Sequence, residues 1–119
     1  METINLMQKF GLFNDHWSPK IIGGLNGQEI KLAKVKGEFV WHNHKDEDEL
    51  FFVVKGKLKI AFEDKTVEIN EGEMLIVPKG VEHKPIAEEE VLLMLIEPEN
   101  IKHTGDVKHA LTVEKYDRI

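Results

Sequence analysis

Three histidines and one glutamate are the residues through which this chain of 119 could do chemistry. His42 and His44 stand with Glu49 in WHNHKDEDEL, and His83 stands in PKGVEHKP, each group in a stretch that reads as β. Alternate residues of a strand face one side, roughly 6.6 Å apart, so His42 and His44 are expected to aim both rings at one point. Neutral imidazole suits zinc, copper, iron or nickel. A carboxylate adds negative charge and a harder oxygen, which widens the choice toward manganese or iron. The expectation is one divalent metal, among iron, manganese, zinc and nickel, held by His42, His44, Glu49 and His83. Asp48 is the rival to Glu49 if the register slips by one residue, but in the assigned register it faces outward.

The elements that must position these residues have a period of two. Leu58, Ile60 and Phe62 fall on one face, with Lys57, Lys59 and Glu63 on the other, so this stretch reads as a half-buried strand. Glu63-Asp64-Lys65 then turns the chain into Thr66 to Ile69, giving a hairpin. Further strands are expected at Lys20 to Leu25, Glu29 to Val35, Phe39 to His42, Leu50 to Lys55, Met74 to Pro78, His83 to Ala87 and Val91 to Glu97. Asn26-Gly27 joins the first two, because both residues tolerate positive φ. Only Ile4 to Phe10 looks helical. Nine short strands separated by turn residues indicate an antiparallel sandwich or barrel.

The residues then resemble a known family. GEFVWHNH from Gly37 to His44, four further residues, Glu49, six residues and Gly56 are similar to the first conserved motif of the cupins. Gly72, five residues, Pro78-Lys79-Gly80, two residues and His83 resemble the second. The resemblance covers about Glu29 to Glu97 and implies an all-β fold, a cupin double-stranded β-helix (jelly-roll barrel) of antiparallel strands with a short N-terminal helix. It implies one domain over 1–119, with an arm at 1–18, a barrel at 19–97 and a tail at 98–119. The family's four metal ligands carry over to His42, His44, Glu49 and His83. Two departures stand out. Only four residues separate Gly37 from His42, where the family has five, and Ala87 takes the place of a closing asparagine. An isolated H-x-H reads more readily as surface or core histidine; Glu49 and His83 at family spacing reverse that preference.

A count of faces extends the reading. If His42 and His44 point inward, so does Val40, while Phe39 and Trp41 point away; if Glu49 points inward, so do Phe51 and Val53. Leu50, Phe52 and Val54 then face outward, although they are as apolar as the inner set. Something must cover them. Cupins commonly pair sheet on sheet, so the resemblance implies a homodimer, with the Ile4 to Phe13 arm as the competing cover. Trp17 and Trp41 could stack on a ligand, but Trp41 reads as outer-face packing. Lys79 and Glu82 read as turn charges, and His16, His103 and His109 as surface residues. The tail around Glu97-Pro98 and His103-Thr104-Gly105-Asp106 resembles one that follows the barrel in small cupins and is expected to close one mouth.

Composition narrows the partners. Cysteine is absent, so there is neither a disulfide framework nor thiolate chemistry. A formal net charge of -6 opposes a phosphate backbone, which argues against nucleic acid. The N-terminal residues lack the pattern of a secretory signal, and no apolar run approaches a membrane span, so a cytoplasmic protein with no membrane partner is expected. The expected partner is a small polar metabolite. Two functions compete: a metal-dependent enzyme of dioxygenase, decarboxylase or isomerase type, and a non-catalytic module that binds or senses a small molecule. A purely structural metal is a third, weaker reading, because the barrel has enough core to fold without one.

Overall fold

Alternating side chains decide most of this architecture. The computed structural model describes residues 1–99, 102, 104–105 and 109–119. The elements in chain order are α1 (Leu6–Phe10), β1 (Lys20–Leu25), β2 (Gln28–Glu38), β3 (Glu49–Lys55), β4 (Lys57–Ala61), β5 (Thr66–Asn70), β6 (Met74–Val77), β7 (Lys84–Pro98) and β8 (Asp117–Arg118). Strands dominate and α1 is a single short helix, so the fold is all-β. No helix among the described residues is long and apolar enough to cross a membrane.

Strand β7 is the hub. It pairs with β2 along most of its length, while its N-terminal end also pairs with β4 and its C-terminal half with β3. The strands follow the order β5-β4-β7-β2-β1-β8, and β3 bridges β7 to β6. The β1–β2 hairpin turns at Asn26 (φ 51°) and Gly27 (φ 78°), both left-handed, as a type I′ turn requires. The β4–β5 hairpin places Leu58 opposite Ile69 and Ile60 opposite Val67, in line with the alternation.

Three expectations about strands change. Residues 39–42 form no strand; His42 alone makes a bridge to His83. The two strands expected around His83 to Glu97 are one, because Glu88, Glu89 and Glu90 bulge outward between the Gly37–Ala87 and Val35–Val91 pairs instead of ending the ladder. Strand β8, which pairs parallel to β1, was not foreseen. Its two residues are too few to carry a periodic signal.

The inner face packs Val53, Leu58, Ile60, Ile69, Val77, Val91 and Leu93 into one core. The outer face divides. The arm folds Phe10 and Phe13 onto Leu32 and Leu92, with Val54 and Met94 at the margin. Burying Phe10 stabilises this docking by about 1.5 to 3 kcal/mol. Asn5 starts α1 by accepting the Gln8 N–H at 3.0 Å. The arm therefore covers Val54, whereas Leu50 and Phe52 stay half-buried beside exposed Met74 and Ile76.

Candidate metal centre

A turn brings the two motifs together. Pro78 opens it, and Gly80 adopts φ 79° while donating its N–H to the His44 carbonyl at 2.8 Å. Asp48 accepts the Lys79 N–H at 2.9 Å from the outside. Beyond the turn, the His42 N–H donates to the His83 carbonyl at 3.0 Å, and the His83 N–H donates to the His42 carbonyl at 2.9 Å. Residues paired in this way present their side chains to the same face. Glu49 enters from the first position of β3, on the inward face with Phe51 and Val53.

One candidate ligand atom from each of His42, His44, Glu49 and His83 lies within 4.8 Å of the others. All four side chains are buried. Nδ1 of His42 is 2.9 Å from the Val40 carbonyl, and Nδ1 of His83 is 2.8 Å from the Val81 carbonyl. A carbonyl only accepts, so both rings carry a proton on Nδ1, and in the neutral form each presents its Nε2 lone pair inward. This is the outer hydrogen bond that orients a metal-binding imidazole. Oε1 of Glu49 stands 3.3 Å from Nε2 of both His44 and His83. Nε2 of His44 is buried with no hydrogen-bond partner among the described residues. An unmet buried nitrogen costs about 1 to 3 kcal/mol. A cation among these atoms would meet it.

The electrostatics are those of a cation site. Burial opposes ionisation of Glu49, but His44 and His83 outweigh it and hold the carboxyl well below the usual range. Burial, helped by the charge of His83, pushes His42 down to about 4, so it is neutral near pH 7. His44 moves the other way: burial lowers its pKa, but contact with Glu49 prevails and raises it. The set of three nitrogens and one carboxylate fits a divalent ion of the iron, manganese, zinc or nickel kind.

The remaining sequence candidates fall outside this cluster. Asp46, Asp48, Lys79 and Glu82 are exposed, and Glu82 accepts from Asn43 Nδ2 at 2.8 Å. His16 pairs with Glu90 at 2.7 Å on the surface, and His109 is exposed. His103 and Asp106 lie outside the described residues. Trp41 faces solvent and is 45% exposed. Phe39 corrects the count of faces: it is buried, and its ring meets the edge of His42 at 5.4 Å. The chain has left β2 at Glu38, so strict alternation no longer applies to it.

A buried ion pair went unread in the sequence. Lys31 Nζ is fully buried and donates to Glu97 Oε1 at 2.9 Å, with Glu29 at 3.8 Å and the Tyr116 ring 4.0 Å beneath it. Burial and the charge of Glu49 raise Glu97 to about 7, against the pull of Lys31. The available signal was period: Glu29 and Lys31 share the face of Ala33 and Val35, which is the inner one. In the tail, Thr104 is buried and bonds Thr112 at 2.9 Å.

An all-β barrel with a histidine-carboxylate cluster on its inner face defines a cupin. The Cupin_2 pattern, that of the cupin domain, matches residues 29–99, more than half of the chain, and the chain belongs to that family. It is similar to a cupin-2 domain containing protein of Shewanella frigidimarina NCIMB 400, with 55% identity and a TM-score of 0.81, over 82% of this chain and 95% of that one. Protein NMB1881 of Neisseria meningitidis shares 39% identity with a TM-score of 0.76, over 82% of this chain and all of that one. Protein YdbB of Bacillus subtilis strain 168 is 42% identical over 64 residues, which are 53% of this chain and 57% of YdbB.

Proposed function

We propose that His42, His44, Glu49 and His83 hold one divalent metal, and that the barrel uses it to bind or convert a small metabolite. One observation carries this reading: Nε2 of His44 and of His83 each stand 3.3 Å from one oxygen of the buried Glu49 carboxylate, and His42, pinned like His83 through Nδ1 to a backbone carbonyl, brings a ligand atom within 4.8 Å of theirs. A bound divalent ion would act as a Lewis acid toward an oxygen of the metabolite. The chain's own part is to hold the four donors in place and exclude water from them.

A second reading, a module that binds without converting, rests on the cavity beside the ligands. Among the described residues its wall contains no acid or base other than His42 and Glu49. Catalysis with proton transfer would draw on Glu97, which titrates near neutrality in the same interior. The experiment is a panel of small oxygen-bearing metabolites offered to the metal-loaded chain. Oxygen uptake or product formation supports the enzyme; thermal stabilisation by a compound recovered unchanged supports the binding module. Neither response from a metal-loaded sample contradicts both.

The outer face supports a homodimer. Ile76, Leu50, Ile96 and Ile30 form one cross-strand row, and Met74, Phe52, Met94 and Leu32 form the next. The arm covers the Leu32 end, and the β6 end stays open, with Met74 60% and Ile76 51% exposed. An apolar face of this kind is what two copies bury against each other.

A further inference from the structure

Next to His42 and Glu49 the barrel interior keeps a cavity of about 30 Å³, walled by Ala33, Phe39, Phe51 and Leu95 and by Trp17 of the N-terminal arm. One water needs roughly 10 to 15 Å³ by this kind of measure, so the space suits a group of about two or three heavy atoms. Apart from the two metal-ligand candidates, every lining residue among those described is apolar. Among the described residues no lysine or arginine reaches the cavity, so no side chain there would stabilise a phosphate.

Trp17 sits there against its own backbone preference. Its φ of 58° is left-handed, a region that bulky residues avoid. Three contacts hold it: its backbone N–H donates to the Lys34 carbonyl at 2.9 Å, its indole N–H donates to the Lys36 carbonyl at 2.9 Å, and its ring stacks on Phe39 at 4.6 Å and 14°. Phe39 in turn meets the ring of His42. A strained residue fixed from three sides at the wall of a site is a candidate clamp.

We infer that Trp17 is the specificity-determining residue of this site. It limits the ligand to a compact molecule with a two-oxygen chelating head and a short, uncharged, apolar remainder. This inference rests on the metal reading above. Longer chains meet the indole, and phosphate esters meet an apolar wall. A tryptophan that only plugged the core would affect stability without changing which ligand is preferred.

The test is binding of acetohydroxamate and hexanohydroxamate to the nickel-loaded chain, followed by calorimetry, with nickel content measured for every variant. The wild type is expected to bind acetohydroxamate at least about tenfold more tightly, a difference that pocket size alone can give. Trp17→Ala should reverse that order, and Trp17→Phe, which keeps the stack on Phe39, should narrow the gap at least about threefold. Ala33→Leu should fill the cavity and weaken acetohydroxamate about tenfold with nickel content unchanged. If Trp17→Ala does not fold, Trp17→Phe decides. An unchanged preference in the tryptophan variants with normal nickel content overturns this inference alone. Failure of the wild type to take up nickel overturns the metal reading with it.

Discussion

The imidazoles of His42 and His83 lie 4.3 Å apart, centroid to centroid, because their residues exchange backbone hydrogen bonds across the barrel interior. Two rings so close in a buried site cannot both be protonated without strong repulsion. This sets the acid behaviour of the metal-free chain. Burial and His83 bring His42 down to about 4 from an ordinary value of 6.5, so below pH 6.5 the unfolded chain takes up a proton that the folded one refuses. Stability from His42 is present above that pH and lost as pH falls through 4. His44, whose proton is held more tightly when folded, works in the opposite direction. The comparison is therefore between wild type and His42→Gln. Between pH 7.5 and pH 5, wild type should lose about 2 kcal/mol more than the variant in urea unfolding. Parallel losses would remove His42 as the cause.

The Lys31–Glu97 pair gives a second prediction. Lys31→Met leaves a buried carboxyl without its cation and should cost about 3 kcal/mol. Adding Glu97→Leu should recover most of that loss, because two apolar side chains leave no charge to desolvate. The check is a double-mutant cycle by chemical denaturation; a double variant no more stable than Lys31→Met would count against an isolated pair.

Gly105 ties the tail to the site. It adopts φ 62°, and a Cβ there would stand 2.0 Å from the carbonyl oxygen of Asn43, between the candidate ligands His42 and His44. Gly105→Ala is expected to push the tail away, expose Thr104 and lower stability by about 1 to 3 kcal/mol. Faster proteolysis of the tail in the variant, with cleavage mapped by mass, would show it. Equal protection in both would mean that the contact is not needed.

How far the sequence could be read depended on whether backbone periodicity held. β1 matched its expected bounds and the β4–β5 hairpin its expected alternation, because alternation and turn residues act locally there, although β4 ends at Ala61 and Phe62 falls in the turn. Phe39 misled because the chain bends away after Glu38, where facing is set by packing on Trp17 and His42. Glu88 to Glu90 misled because a bulge and a loop present the same run of charge. Lys31 was passed over since a lysine in a strand is ordinarily solvated, and only tertiary placement of Glu97 and Tyr116 makes its burial tolerable. The four candidate ligands do come together, although the H-x-H pair does so from an irregular segment and not from the strand that the spacing suggested.

The open end of the outer face predicts the assembly. Ile76→Glu places a charge in the row shared with Leu50. Wild type should sediment as a dimer and the variant as a monomer, with far-UV circular dichroism unchanged. A monomeric wild type at micromolar concentration would contradict the dimer.

The central claim is tested most directly by metal content per chain. Inductively coupled plasma mass spectrometry would be applied to untagged protein purified without chelator, beside Glu49→Gln and His83→Ala. The account predicts close to one divalent ion per wild-type chain, and most of it lost in both variants while their β signal persists. Wild-type protein that takes up no metal even after reconstitution, or variants that keep a full complement, would contradict it.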